Sequence, residues 1–147
     1  MYGDDTDGHI DTLARLAPDD TILYVGARSS VTDDPQSALL ADIPAELSRM
    51  RTLDGRPFNL IELPLPDPIY DDEGLRLPAT YANYLVLNDA ILMPTYNQPL
   101  NDDLAAKTLR VAFPNHRIET VDCRALIQQH GSLHCATMQL PVNFLCL

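Results

Sequence analysis

The chain has 147 residues with 46% hydrophobic and 21% charged side chains, the balance of one folded domain rather than of a disordered segment. Its net charge of −11 repels phosphate backbones, which argues against a nucleic-acid partner and favours small cations. No apolar run approaches the roughly 20 residues of a membrane span, and Met1-Tyr2-Gly3-Asp4-Asp5 lacks both parts of a signal peptide, so a cytoplasmic protein is expected.

In chain order, Thr12 to Ala17 is the first predicted strand, followed by a Pro18-Asp19-Asp20 turn and the β-rich run Thr21 to Val25. A helical segment is predicted within Pro35 to Arg51, with Leu39, Ile43, Leu47 and Met50 on one face. Pro44 interrupts its hydrogen bonding, which moves the expected start toward an Asp42 cap. The apolar run Phe58 to Leu63 follows, closed by Pro64 and Pro66. Residues 67–78 are rich in Pro and Asp and are expected to form an exposed connector, with a lid as the alternative.

The same order then recurs. Tyr81 to Leu87 is a predicted strand, Asn88-Asp89 a tight turn, and Ala90 to Met93 the partner strand. Asn101-Asp102-Asp103 is expected to cap a helix reaching Phe113, with Pro114 just beyond, and Arg117 to Val121 closes the unit. Two strand–strand–helix–strand units, about 9–66 and 78–122, imply a propeller-like or stacked array rather than a doubly wound sheet. Ala125 to Gln129 is a predicted short helix, and residues 123–147 carry the last motif.

Two motifs could carry chemistry. Thr6-Asp7-Gly8-His9-Ile10-Asp11 places a His and an Asp two residues apart, which an extended chain would aim at one face. Such a His can shuttle protons while the carboxylate holds a cation or orients the ring. In Gly131-Ser132-Leu133-His134-Cys135 the small residues let backbone approach a ligand and leave the Cys135 sulfur available as a nucleophile. On a strand His134 would face away from Cys135, which makes His9 the expected partner and leaves His130 and His134 as structural residues. Cys123 and Cys146 lie among apolar neighbours and are expected to be packing thiols. With three cysteines and no CxxC pair, neither a disulfide framework nor a structural zinc site is expected.

The segment Thr6 to Asp11 resembles the His-x-Asp block of the agmatine deiminase family, relatives of the bacterial peptidylarginine deiminases. Gly55-Arg56-Pro57-Phe58 with Ile61-Glu62-Leu63-Pro64 resembles the next family block, and Leu77-Pro78-Ala79-Thr80-Tyr81-Ala82-Asn83-Tyr84 the one after. Gly131 to Pro141 resembles the nucleophile block. The resemblance implies an α/β pentein fold, here about half of a five-bladed propeller of ββαβ repeats, and it identifies the chain with the family's C-terminal half. It implies Cys135 as nucleophile, His9 as general acid/base, Asp11 as a guanidinium-binding carboxylate and Asp7 as a further candidate for that role.

The activity implied is hydrolysis of agmatine to N-carbamoylputrescine and ammonia, without metal or organic cofactor, within putrescine and polyamine metabolism. Peptidyl-arginine deimination, or a silent half-domain acting only in assembly, are the alternatives. Family enzymes are more than twice as long, and their N-terminal half supplies a further acidic residue and pocket aromatics. An incomplete site and a homo-oligomer or partner half-domain are therefore expected.

Overall fold

A computed structural model describes residues 1–4, 8–27, 33–140 and 144. It shows a mixed α/β fold built from two three-stranded sheets. In the first, β1 (Ala14–Ala17) pairs antiparallel with β2 (Thr21–Val25), which pairs parallel with β3 (Asn59–Leu63). In the second, β4 (Leu85–Val86) pairs antiparallel with β5 (Ala90–Thr95), which pairs parallel with β6 (Arg117–Asp122). Each parallel crossover contains helix: α1 (Pro35–Leu40) and α2 (Ile43–Leu47) in the first, α3 (Pro99–Ala112) in the second. Among the described residues no helix is long and apolar enough to cross a membrane.

Strand β2 is buried throughout, and its alternation sorts the side chains to two apolar layers. Ile22 and Tyr24 pack with Ala14 and Leu47, whereas Leu23 and Val25 join the main core with Leu63, Ile91, Met93 and Leu109. That core spans both sheets, with Ala105, Ala106, Leu109 and Ala112 of α3 completing it. Leu109 is fully buried at its centre. Leu109→Ala is expected to destabilise the fold by about 3 kcal/mol through lost burial and a residual cavity, read as a lower urea midpoint at unchanged m-value.

Several elements differ from the sequence expectation, each for an identifiable physical reason. The predicted helix of 35–51 is two short helices, because Pro44 has no N–H for the carbonyl four residues back. The second does begin after Asp42, as expected. The strand expected over Tyr81–Leu87 shrinks to Leu85–Val86; Tyr81–Tyr84 is wholly buried, and its backbone is met outside a ladder, the Ala82 N–H by Thr80 Oγ1, the Asn83 carbonyl by the His134 N–H and the Tyr84 carbonyl by Arg15. Helix α3 starts at Pro99, earlier than the expected Asn101-Asp102-Asp103 cap. Asp102 instead reaches back to accept from the N–H groups of Gln98 (2.9 Å) and Tyr96 (3.2 Å). Pro94 is tolerated in the middle strand because β4 pairs only with Ile91 and Leu92, leaving that side of β5 open at Pro94.

The 67–78 segment is pinned at both ends. Gln98 and the Asp67 backbone exchange two hydrogen bonds of 2.8 and 2.9 Å. Arg76 forms a forked ion pair with the fully buried Asp34 carboxylate, and Leu77 N–H returns to Ile69 carbonyl at 2.8 Å. A connector, not a lid, fits these ties.

Candidate active site

The first site segment is not extended. His9 precedes a 3-10 turn, Ile10–Thr12, so the period-two argument for His9 and Asp11 does not apply. The Thr12 hydroxyl closes this turn, donating to the His9 carbonyl at 3.1 Å and to Asp4 Oδ2 at 2.9 Å. Thr80 Oγ1 fastens the turn to the second sheet's lead-in by a 2.8 Å bond to the Thr12 carbonyl.

The nucleophile segment also turns rather than runs straight. His130 takes a left-handed conformation (φ 62°), and His134–Ala136 forms a 3-10 turn. Gly131 is needed for this path, since a Cβ there would stand 3.0 Å from Cys135 Cβ. Ser132, buried, is held by a 2.8 Å bond with the buried Tyr96 hydroxyl, which also donates to the Thr80 carbonyl at 2.9 Å. The result is an exposed Cys135 thiol.

These two turns meet at Asp11. Its Oδ2 lies 2.6 Å from His134 Nδ1, 3.0 Å from Asn83 Nδ2 and 3.7 Å from Cys135 Sγ. Its Oδ1 is buried with no hydrogen-bond partner among the described residues, an unmet acceptor of the kind that marks a functional position. Burial pushes the Asp11 carboxyl up, but the His134, Asn83 and Arg15 groups outweigh it and leave the pKa below the usual 3.8. Asp11 is therefore ionised at neutral pH, and Nδ1 of His134 must carry the donated proton. Arg15 itself is stacked 5.0 Å above the Tyr84 ring and bonded to the Tyr84 carbonyl at 2.8 Å.

Asn83 joins the turns from beneath. Fully buried, it donates to the Asp11 carbonyl (3.2 Å) as well as to Oδ2. Its Oδ1 accepts from the backbone N–H groups of His134 (2.8 Å) and Cys135 (3.2 Å). One amide thus fixes the nucleophile relative to the carboxylate.

Of the expected site residues, the structure brings Cys135 and Asp11 together. His9 stands two residues from Asp11 with an exposed ring that makes no hydrogen bond to a described residue. Asp7 and Cys146 lie outside the described residues. Cys123 is buried against the Val121 carbonyl (3.3 Å), and burial raises its pKa to about 11, an inert packing thiol. His134 corrects the sequence reading: in a 3-10 turn, adjacent side chains are not on opposite faces, and it contacts the site carboxylate. Asn83 was also missed. Its signal was a lone amide inside the buried run Tyr81-Ala82-Asn83-Tyr84. Among the described residues, no cluster of three or more His, Cys, Asp or Glu could hold a metal.

Comparison with known proteins shows which family the chain belongs to. The chain is 35% identical to a provisionally named agmatine deiminase of Mycoplasma mycoides, over 97% of this chain and 43% of that protein. A provisionally named arginine deiminase from Porphyromonas gingivalis has the same fold, with TM-score 0.88 and 47% identity over 97% of this chain and 41% of its own. A Cys-to-Ser variant of C. jejuni agmatine deiminase, solved with substrate bound, gives TM-score 0.79 and 42% identity over 91% of this chain and 37% of its own. The chain thus spans 43% or less of the length of these three relatives. A model of the Porphyromonas-type peptidyl-arginine deiminase family matches residues 1–141, and the chain belongs to that family.

Proposed function

We propose that this chain carries the nucleophile-bearing part of an agmatine deiminase-like hydrolase, acting in the cytoplasm on a small cationic guanidine. The observation that carries the proposal is the meeting of an exposed Cys135 thiol with an ionised carboxylate that has an unmet oxygen, Asp11. A guanidinium held by charge-assisted N–H···O bonds to Asp11 presents its carbon to the sulfur. The Cys135 thiolate attacks that carbon and forms a C–S bond. His9 protonates the departing nitrogen, ammonia leaves, and a thiouronium remains on Cys135. Water, giving its proton to His9, then attacks the same carbon; the C–S bond breaks, releasing the ureido product and the thiolate. With agmatine the products are N-carbamoylputrescine and ammonia, a step toward putrescine. These steps call for no metal or organic cofactor. Asp7 is proposed as an auxiliary carboxylate for the same cation.

Peptidyl-arginine is the second substrate reading, favoured by the family description. Ammonia and ureido product from agmatine, free arginine and an internal-arginine peptide, compared side by side, decide between them. Release from agmatine alone is the expected outcome; release from the peptide alone would move the proposal to protein deimination.

An open apolar cleft of about 410 Å³ beside Asp11, lined by Ile10, Ala14, Leu16, Ile22, Leu47 and Met50, bears on assembly. Ile10 and Leu16 are 65% and 70% exposed there. Units 9–66 and 78–122 are proposed as two repeats of a five-bladed propeller, with this cleft covered by a partner half-domain or a second copy. A catalytically silent assembly module remains the reading if neither the chain nor its assembly releases ammonia.

A further inference from the structure

We infer that His134 is a positioning residue whose Nδ1–H locks the rotation of the Asp11 carboxylate, and so sets how tightly this site holds a guanidinium or amidinium cation. The inference rests on the reading of Cys135 and Asp11 given above and adds to it a residue with no assigned part.

The terminal torsion of an aspartate is soft and nearly two-fold, so a carboxylate keeps one orientation only when neighbours hold it. Two nitrogen donors do so here, both on Oδ2: Asn83 Nδ2 at 3.0 Å and His134 Nδ1 at 2.6 Å. Asn83 is also committed to three backbone groups and serves the frame of the site. His134 makes the shorter contact, to an ionised acceptor, and such charge-assisted bonds are about twice as strong as neutral ones. Its side chain is 30% exposed and that of Asp11 15%, so the pair stands at the margin of the site. Because Oδ2 already accepts from both residues, Oδ1 is the oxygen left with its acceptor capacity unmet. Without His134 only the 3.0 Å Asn83 bond holds Oδ2, and the carboxylate turns more freely. The cation then loses a fixed partner, while the sulfur keeps its place through the Cys135 N–H···Asn83 bond.

The test compares alkylation of Cys135 by 2-chloroacetamidine, a cation, with that by the neutral isostere 2-chloroacetamide. Each rate is read by intact mass on the full chain and normalised to the same reagent's rate with a free thiol. Wild type is expected to prefer the cation. His134→Leu should cut that preference about 10-fold, as expected for loss of one charge-assisted hydrogen bond. His134→Asn, whose amide nitrogen can occupy the Nδ1 position, should restore most of it. A role in packing alone would slow both reagents equally, leave the ratio unchanged and give Asn no advantage over Leu; that result overturns the inference. Absence of any cation preference in wild type overturns the underlying reading of the site instead.

Discussion

Replacing Cys135 by serine is expected to lower agmatine turnover by at least about 10³-fold, because a hydroxyl in this position has no group to make it a comparable nucleophile. The assay is ammonia release in whichever form turns over, the chain alone or its assembly. His9→Ala should lose nearly as much, since one imidazole serves both the leaving nitrogen and the attacking water. Asp11→Asn keeps the shape and removes the charge, so its loss, about 10²-fold, should fall mainly on KM. Cys123→Ser should leave the rate near wild type and change stability only, because that thiol is fully buried and its pKa is pushed up to about 11. The order is the informative part. Equal losses at Cys123 and Cys135 would mean that the assay reports folding, and the nucleophile assignment would fall.

The second large effect is expected at Asn83. Asn83→Leu is close in volume but leaves the Asp11 carbonyl and the Cys135 N–H without their partner, and leaves the His134 N–H with only the 3.2 Å bond to the backbone carbonyl of residue 83. Each buried polar group left unpaired costs about 1–3 kcal/mol. The fold should therefore lose several kcal/mol, visible as an earlier urea transition. Turnover should fall about 10²-fold even in buffers where the variant is fully folded, because displacing a nucleophile by about 1 Å has that scale of effect. Asn83→Asp separates the two roles. It can still accept from the backbone N–H groups and so should keep the Cys135 turn in place, but its buried carboxylate faces the ionised Asp11 carboxylate in place of an N–H donor. Turnover of Asn83→Asp equal to wild type would show that the link to Asp11 Oδ2 is dispensable.

Acid should reveal the same carboxylate. Asp11 has a folded-state pKa below 3.8, so its ionised form stabilises the fold above the unfolded pKa. That contribution is lost as pH falls through the folded value. His134→Leu should shrink this acid-side contribution, because the His134 hydrogen bond that lowers the carboxyl pKa is then gone.

The strand–strand–helix–strand order was legible because periodicity and turn residues act locally. Val25, Leu63 and Ile91 are apolar in sequence and end in one core. That the Cys135 thiol would be exposed was legible in the small residues before it, and Gly131 is indeed where a methyl group would press on Cys135. What could not be read was the conformation of the two site turns. The alternation rule treats His9–Asp11 and His134–Cys135 as extended, whereas Thr12, Thr80 and Asn83 capture their backbones and impose 3-10 geometry. Those tertiary bonds span up to 72 residues, between Asp11 and Asn83, beyond the reach of any local pattern. The strand predicted over Tyr81–Leu87 is shortened to Leu85–Val86 for the same reason: Arg15 and the His134 N–H take the Tyr84 and Asn83 carbonyls.

The most direct test of the central claim is mass spectrometry of the protein acid-quenched during turnover of agmatine, followed by peptide mapping. A covalent adduct equal to agmatine less ammonia is expected, confined to the peptide containing Cys135 and absent from Cys135→Ser. Turnover of agmatine with no adduct on Cys135 at any quench time, or an adduct at Cys123 instead, would contradict it.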